Sequence, residues 1–139
     1  PFVIEYNVRM GDPETQVVLP RIKNDFLDIM VKTASGQLSN INLDIDENSY
    51  ANVVLVAGGY PEKYQKGKEI KGLNRDCESL ILHAGTKKEG NKIVTSGGRV
   101  LSIISKSTEF KSALKKSYKT IESIDFEGKY YRKDLGFDL

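Results

Sequence analysis

Glu5, Asn7 and Arg9 occupy every second position of "FVIEYNVR". In an extended strand, residues two apart lie about 6.5–7 Å apart on one face, so these three side chains can meet one small object. A carboxylate and an amide oxygen are hard ligands of the kind Mg²⁺ takes while it shares phosphate oxygens. An arginine beside them can stabilise charge on a phosphoryl or acyl-phosphate group. The same residues also fit the solvated face of an edge strand, because alternation of polar and apolar residues is common in half-exposed sheets.

Three further segments hold polar chemistry beside glycine. In "RMGDPETQ", a turn and helix cap accounts for Asp12 and Pro13 but not for Arg9 and Glu14 as well. "HAGTK" (83–87) follows an apolar run and presents Lys87 to an anion; a hairpin turn at Gly85 is the alternative, and His83 alone carries little. In "TSGGRVL" (95–101), Gly97 and Gly98 let the backbone approach a ligand closely, and Arg99 supplies a planar fork for phosphate. A glycine bulge between strands explains the same pair.

The elements that must position these groups follow from periodicity. Phe2, Ile4, Tyr6 and Val8 share the apolar face of a first strand. A short helix is expected from Asp12 as N-cap and Pro13 as first helical residue to about Leu19, where Pro20 disrupts it. A second helix, "DFLDIMVKTAS", is expected with Asn24 as its cap and Gly36 as its stop. Residues 36–49 are polar and loop-like. Beyond them "YANVVLVA", "SLILHA" and "NKIVTSGGRVLSIIS" read as strands. "STEFKSALKKSYKTIESI" then carries one apolar helical stripe through Phe110, Ala113, Leu114, Ser117, Tyr118, Ile121 and Ile124, with its lysines largely off it. The tail, with Tyr130, Tyr131 and Arg132, packs back on the domain. A change of texture places a boundary within 38–49.

Composition narrows the classes. The chain has 139 residues, 39% hydrophobic and 29% charged, which suits a globular fold with one sizeable core. A net charge of +2 argues against nucleic acid or an anionic membrane as partner. The single cysteine, Cys77, excludes an internal disulfide and a cysteine-rich metal site, and fits a reducing, cytoplasmic setting. "VVLVA" is the longest apolar run, far short of the roughly 20 residues of a membrane helix. No signal peptide is read ahead of the first strand. A chain that opens at Pro1 and enters strand-like sequence at once reads as a fragment of a longer protein.

"EYNVRMGDPETQ", "GGYPEKYQKG", "HAGTK", "TSGGRVL" and "GKYYRKDLG" occur here in an order and spacing that closely resemble the C-terminal part of the phosphoribosylamine–glycine ligases. These are ATP-grasp enzymes of purine biosynthesis, and the resemblance covers essentially the whole chain. Met10 departs from it, since an aromatic residue is expected there.

The resemblance implies an α+β fold. Residues 1–38 would be the C-terminal end of an ATP-grasp domain. Residues 39–139 would be a small β-rich domain of barrel-sandwich hybrid type with one packed helix. It implies a ligase that phosphorylates the carboxylate of glycine with ATP. The amine of 5-phosphoribosylamine then attacks glycyl phosphate, giving glycinamide ribonucleotide, ADP and phosphate.

Glu5 and Asn7 match the family's ligands for Mg²⁺ or Mn²⁺, and Arg9 matches an arginine close to the transferred phosphate. By position, Lys87 and Arg99 are candidates for the ribose 5-phosphate, with Asp12, Glu14, Gly97 and Gly98 as further substrate-side residues. The rest of the ATP site would lie in a missing N-terminal part, so this chain alone is expected to be inactive. Two other readings stay open. One is another ATP-grasp ligase or a carboxylase related to biotin carboxylase, which shares the Glu-x-Asn-x-Arg strand. The other is a non-catalytic binding domain using the basic helix.

Overall fold

A computed structural model describes residues 1–4, 6, 8–73 and 77–138. These fall into two compact units, Pro1–Asn48 and Ser49–Leu139.

The first unit is built from short helices. The expected first strand does not form among the described residues. Its described residues belong to no ladder, and Phe2, Ile4, Tyr6 and Val8 are between 82% and 98% exposed. Alternation supplies a strand's period, but a strand forms only where a second backbone accepts its hydrogen bonds. Among the described residues none does so for this stretch.

Helix α1 spans Thr15–Val18, later than Asp12 and Pro13 would place it. The turn closes instead at Gly11, whose carbonyl accepts from Thr15 N at 2.9 Å and from Thr15 Oγ1. Glu14 precedes the helix with no side-chain cap bond, while Asp12 Oδ1 accepts from Gln16 Nε2 at 2.7 Å. Pro20 falls inside a 3₁₀ turn, Leu19–Arg21, that ends this segment.

Helix α2 spans Phe26–Ala34. Its cap is Asp25, not Asn24: Asp25 Oδ1 accepts from the amides of Leu27 at 2.8 Å and Asp28 at 3.1 Å. Asn24 instead ties down the returning loop. Its Oδ1 accepts from Asp44 N at 2.7 Å and its Nδ2 donates to Asn42 O at 3.0 Å. Gly36 ends the helix at φ +71°, where Gly36 N reaches Thr33 O and Gln37 N reaches Lys32 O.

The second unit is a small α+β domain with two antiparallel sheets and one packed helix. Strands β1 (Ser49–Val56), β2 (Leu80–His83) and β5 (Arg99–Ser107) form a sheet in the order β1–β5–β2. Strands β3 (Thr86–Glu89) and β4 (Lys92–Thr95) form a hairpin. In β1 the residues Ala51, Val53 and Leu55 alternate inward, the pattern of a strand with one buried face. Strand β5 is central, and its positions 100–105 are all buried.

Helix α3 (Phe110–Ser123) lays Ala113, Leu114, Ser117, Thr120 and Ile121 on this sheet, as its stripe requires. Val53, Leu55, Val100, Leu101, Ile103, Ile121 and Ile124 are fully buried in one cluster. Each contributes about 1.5–3 kcal/mol relative to exposure.

A chain of hydroxyls crosses the layer between helix and sheet. Ser117 Oγ donates to Ile103 O at 3.2 Å and to Ser105 Oγ at 2.9 Å. Ser79 Oγ stands 2.7 Å from Ser105 Oγ and 2.6 Å from Thr120 Oγ1. Among the described residues no helix is long and apolar enough to cross a membrane.

Candidate functional site

In the first unit, Glu5 and Asn7 lie outside the described residues. Arg9 is exposed, and its Nη1 donates to Met10 O at 3.0 Å. The Glu14 carboxylate folds back over Gly11, so closely that a Cβ on Gly11 would stand 2.1 Å from Glu14 Oε2. Asp12 and Glu14 therefore belong to one tight turn, with Arg9 just before it. Among the described residues no group of three or more His, Cys, Asp or Glu is placed to hold a metal ion.

In the second unit, "HAGTK" and "TSGGRVL" are brought together by their backbones. Gly85 O accepts from Ser96 N at 2.8 Å and from Gly97 N at 3.1 Å, and Gly85 N donates to Arg99 O at 2.7 Å. Ala84 N donates to Val100 O at 3.0 Å, which continues the β2–β5 register past His83↔Leu101. Gly85 is thus the point where the chain leaves β2 and enters the β3–β4 hairpin. A side chain there would strike Arg99 O at 2.5 Å and the Gly97 Cα at 2.6 Å. The close approach that the glycines make possible is made by the protein to itself.

Arg99 opens β5, half-buried and opposite Val56 across an irregularity in register. Lys87 lies on the exposed side of β3, and its Nζ is 3.0 Å from Glu89 Oε1, two residues along the same face. Both Lys87 and Glu89 are more than half exposed, so this pair is weak and its lysine can be recruited by a stronger anion. His83 Nδ1 is 2.9 Å from Thr86 Oγ1, a local contact within the loop.

One neighbour of this cluster was not among the candidate residues. Tyr60 packs its ring against Gly98: a Cβ on Gly98 would stand 2.1 Å from Tyr60 Cδ2 and 2.6 Å from Cε2. The backbones are tied as well, since Ala57 N donates to Gly98 O at 2.8 Å and Tyr60 N donates to Ala57 O at 3.1 Å. Tyr60 also leans on Tyr64, ring centroids 6.1 Å apart at 60°, and Tyr64 packs on the core. The sequence signal was the "GGYP" in one of the motifs, which carried a resemblance but no physical role.

Residues 50–138 match the family model described as phosphoribosylglycinamide synthetase, C domain. The phosphoribosylamine–glycine ligase of Caldanaerobacter subterraneus subsp. tengcongensis is 47% identical over 135 residues, covering 97% of this chain and 32% of that protein. The bifunctional purine biosynthetic protein purD of Dictyostelium discoideum is 46% identical over 138 residues, covering 96% of this chain and 17% of its own length. A crystal structure of phosphoribosylamine–glycine ligase from Thermotoga maritima superposes with a TM-score of 0.75 at 36% identity, covering 96% of this chain and 33% of that one. The chain thus spans about a third of the length of the single-function ligases it matches.

Proposed function

From the premise that this chain belongs to the phosphoribosylglycinamide synthetase C-domain family, we propose that it is the C-terminal third of an ATP-dependent ligase of purine biosynthesis. That ligase joins glycine to 5-phosphoribosylamine through glycyl phosphate, releasing glycinamide ribonucleotide, ADP and phosphate. The observation that carries the reading is similarity along 97% of the chain to proteins bearing that name. In this reading residues 1–38 close an ATP-grasp domain and residues 39–139 form the substrate-side domain, of barrel-sandwich hybrid type. The remainder of the ATP site belongs to an N-terminal part, and the working place is the cytoplasm.

The Glu5 carboxylate and the Asn7 amide oxygen are a donor set that fits a hard divalent cation, and they would hold Mg²⁺ or Mn²⁺. When bound, that ion supplies charge neutralisation for phosphoryl transfer. Arg9 would place its guanidinium against the phosphate that moves from ATP to the glycine carboxylate, where negative charge accumulates in transit. Asp12 and Glu14, in the turn that follows, would orient the substrate amine. Arg99 would clamp the ribose 5-phosphate with two parallel N–H donors, and Lys87 would add a point charge. Gly97 and Gly98, packed against Gly85 and Tyr60, would hold the backbone that presents Arg99 to the phosphate.

The test uses the full-length protein. Arg99→Ala should raise KM for 5-phosphoribosylamine about 10- to 100-fold, the worth of a charge-assisted hydrogen bond, and leave KM for ATP unchanged. An unchanged KM for the amine would sink the Arg99 assignment. Release of ADP that depends on glycine and phosphoribosylamine, rather than bicarbonate, separates this ligase from the carboxylase-like alternative. The 139-residue chain by itself should not turn over.

A further inference from the structure

We infer that Tyr60 is a positioning residue for the proposed phosphate site: its ring sets where Gly98, and through it Arg99, presents to the ribose phosphate. This rests on the reading of Arg99 given above.

Gly98 is buried, and the atoms nearest its Cα side belong to one aromatic ring. The three nearest atoms to a Cβ at Gly98 are all Tyr60 ring carbons, at 2.1, 2.6 and 3.1 Å. The ring therefore lies where any side chain at 98 would go, and it fixes the path of the backbone that leads into Arg99. Its own place is fixed twice. Gly98 O and the Tyr60 amide are linked through Ala57, and Tyr64 braces the ring from the core. The line of support runs from core to Tyr64, to Tyr60, to Gly98, to Arg99. On the other side Gly85 N holds Arg99 O at 2.7 Å, so the arginine's backbone is gripped from both flanks.

A flat ring suits this task because it is rigid, with two side-chain torsions to fix. It can also seal glycine backbone without intruding on the space beyond it. The contact uses Cγ, Cδ2 and Cε2, all hydrocarbon positions, so the hydroxyl is dispensable to it. Displacement of a binding group by about 1 Å is enough to cost on the order of a hundredfold in rate. A loosened Gly98 would therefore be read in the substrate it serves.

The experiment measures KM for 5-phosphoribosylamine, KM for ATP and thermal midpoint in the full-length enzyme. Tyr60→Phe should match wild type. Tyr60→Ala, with Tyr60→Leu as a bulk-retaining second variant, should raise the amine KM about tenfold or more and leave the ATP KM in place. Gly98→Ala should do the same by forcing the ring away. In the double variant Tyr60→Ala/Gly98→Ala the two effects should fall short of their product, since both act at one contact.

A lowered thermal midpoint with unchanged amine KM in the Tyr60 and Gly98 variants would overturn the inference, leaving Tyr60 a packing residue. So would independent, multiplying effects in the double variant. Arg99→Ala separates the two levels. If it raises the amine KM and Tyr60→Ala does not, the positioning role alone fails. If Arg99→Ala has no effect, the phosphate site fails, and any effect of Tyr60→Ala cannot run through Arg99.

Discussion

Gly85 and Gly97 meet backbone to backbone: the Gly85 carbonyl accepts the Gly97 amide at 3.1 Å, and a Cβ on Gly85 would stand 2.6 Å from the Gly97 Cα. The two ends of the β3–β4 hairpin are pinned here, with the candidate residues Lys87 and Arg99 on either side of the pin. Gly85→Ala should therefore cost about 1–3 kcal/mol, as other insertions into filled space do. Gly97→Ala should cost less, because its nearest neighbour is the Gly85 Cα at 3.0 Å and no carbonyl crowds it as closely. Denaturant midpoints of the two variants check the order. Equal midpoints, or a milder effect at Gly85, would show that the loop yields freely.

The hydroxyl chain between α3 and the sheet makes a second prediction. Ser79 is its branch point, and it is the hydroxyl that faces Thr120. Ser79→Ala would strand the Thr120 hydroxyl in a buried layer and should cost about 1–3 kcal/mol. Ser105→Ala should cost about 1 kcal/mol, because Ser79 keeps Thr120 and Ser117 keeps the Ile103 carbonyl. Adding Thr120→Val to Ser79→Ala should recover part of the loss by removing the stranded group. Chemical denaturation of the three variants tests this, and a double variant weaker than Ser79→Ala would contradict it.

These two features also mark what sequence could and could not disclose. The stripe on α3 and the runs that became β1, β2 and β5 were legible because buried apolar residues impose a period. Strand β3 was missed because Lys87, Lys88 and Glu89 face solvent and carry no apolar signal. At Phe2–Arg9 the period was present, but a period names no partner, and among the described residues the ladder is absent. Asn24 and Asp25 are adjacent and equally apt as caps; the loop at residues 42–44 claimed Asn24 and left Asp25 to the helix. Of the candidate site, the residue types of Lys87, Gly97, Gly98 and Arg99 were readable. Their junction at Gly85 was not, and neither was the ring of Tyr60 over Gly98. Both depend on contacts between segments with no shared periodicity.

Lys129 supplies a third prediction. Its ammonium donates to the carbonyls of Ile121, at 3.3 Å, and Ile124, at the C-terminal end of α3. There the helix leaves carbonyls without intrahelical donors, and positive charge is favoured. Lys129→Met keeps the stem and removes the donors, and should cost about 1–2 kcal/mol. Lys119→Met, on the exposed face of the same helix, should be nearly silent. Similar thermal midpoints for the two variants would remove Lys129 from the capping role.

Tyr118 gives the fold an alkaline limit. Burial pushes its phenol above the ordinary value of 10.0, and the ring lies 6.0 Å from that of Tyr131. Its hydroxyl donates to Arg132 O at 2.9 Å, a bond the phenolate cannot make. A folded-state value above the unfolded one means the folded chain holds the proton more tightly. The stabilisation is then complete below about pH 10 and is lost as pH rises through the folded value. Tyr118→Phe should be less stable than wild type by about 1 kcal/mol at pH 7, for want of the hydrogen bond. That gap should shrink from about pH 10 upward, because only wild type has a phenol to ionise at this position. Denaturant midpoints of both proteins between pH 7 and pH 11 measure it, and a gap that stays constant across that range would show that the ring's burial places no constraint on its ionisation.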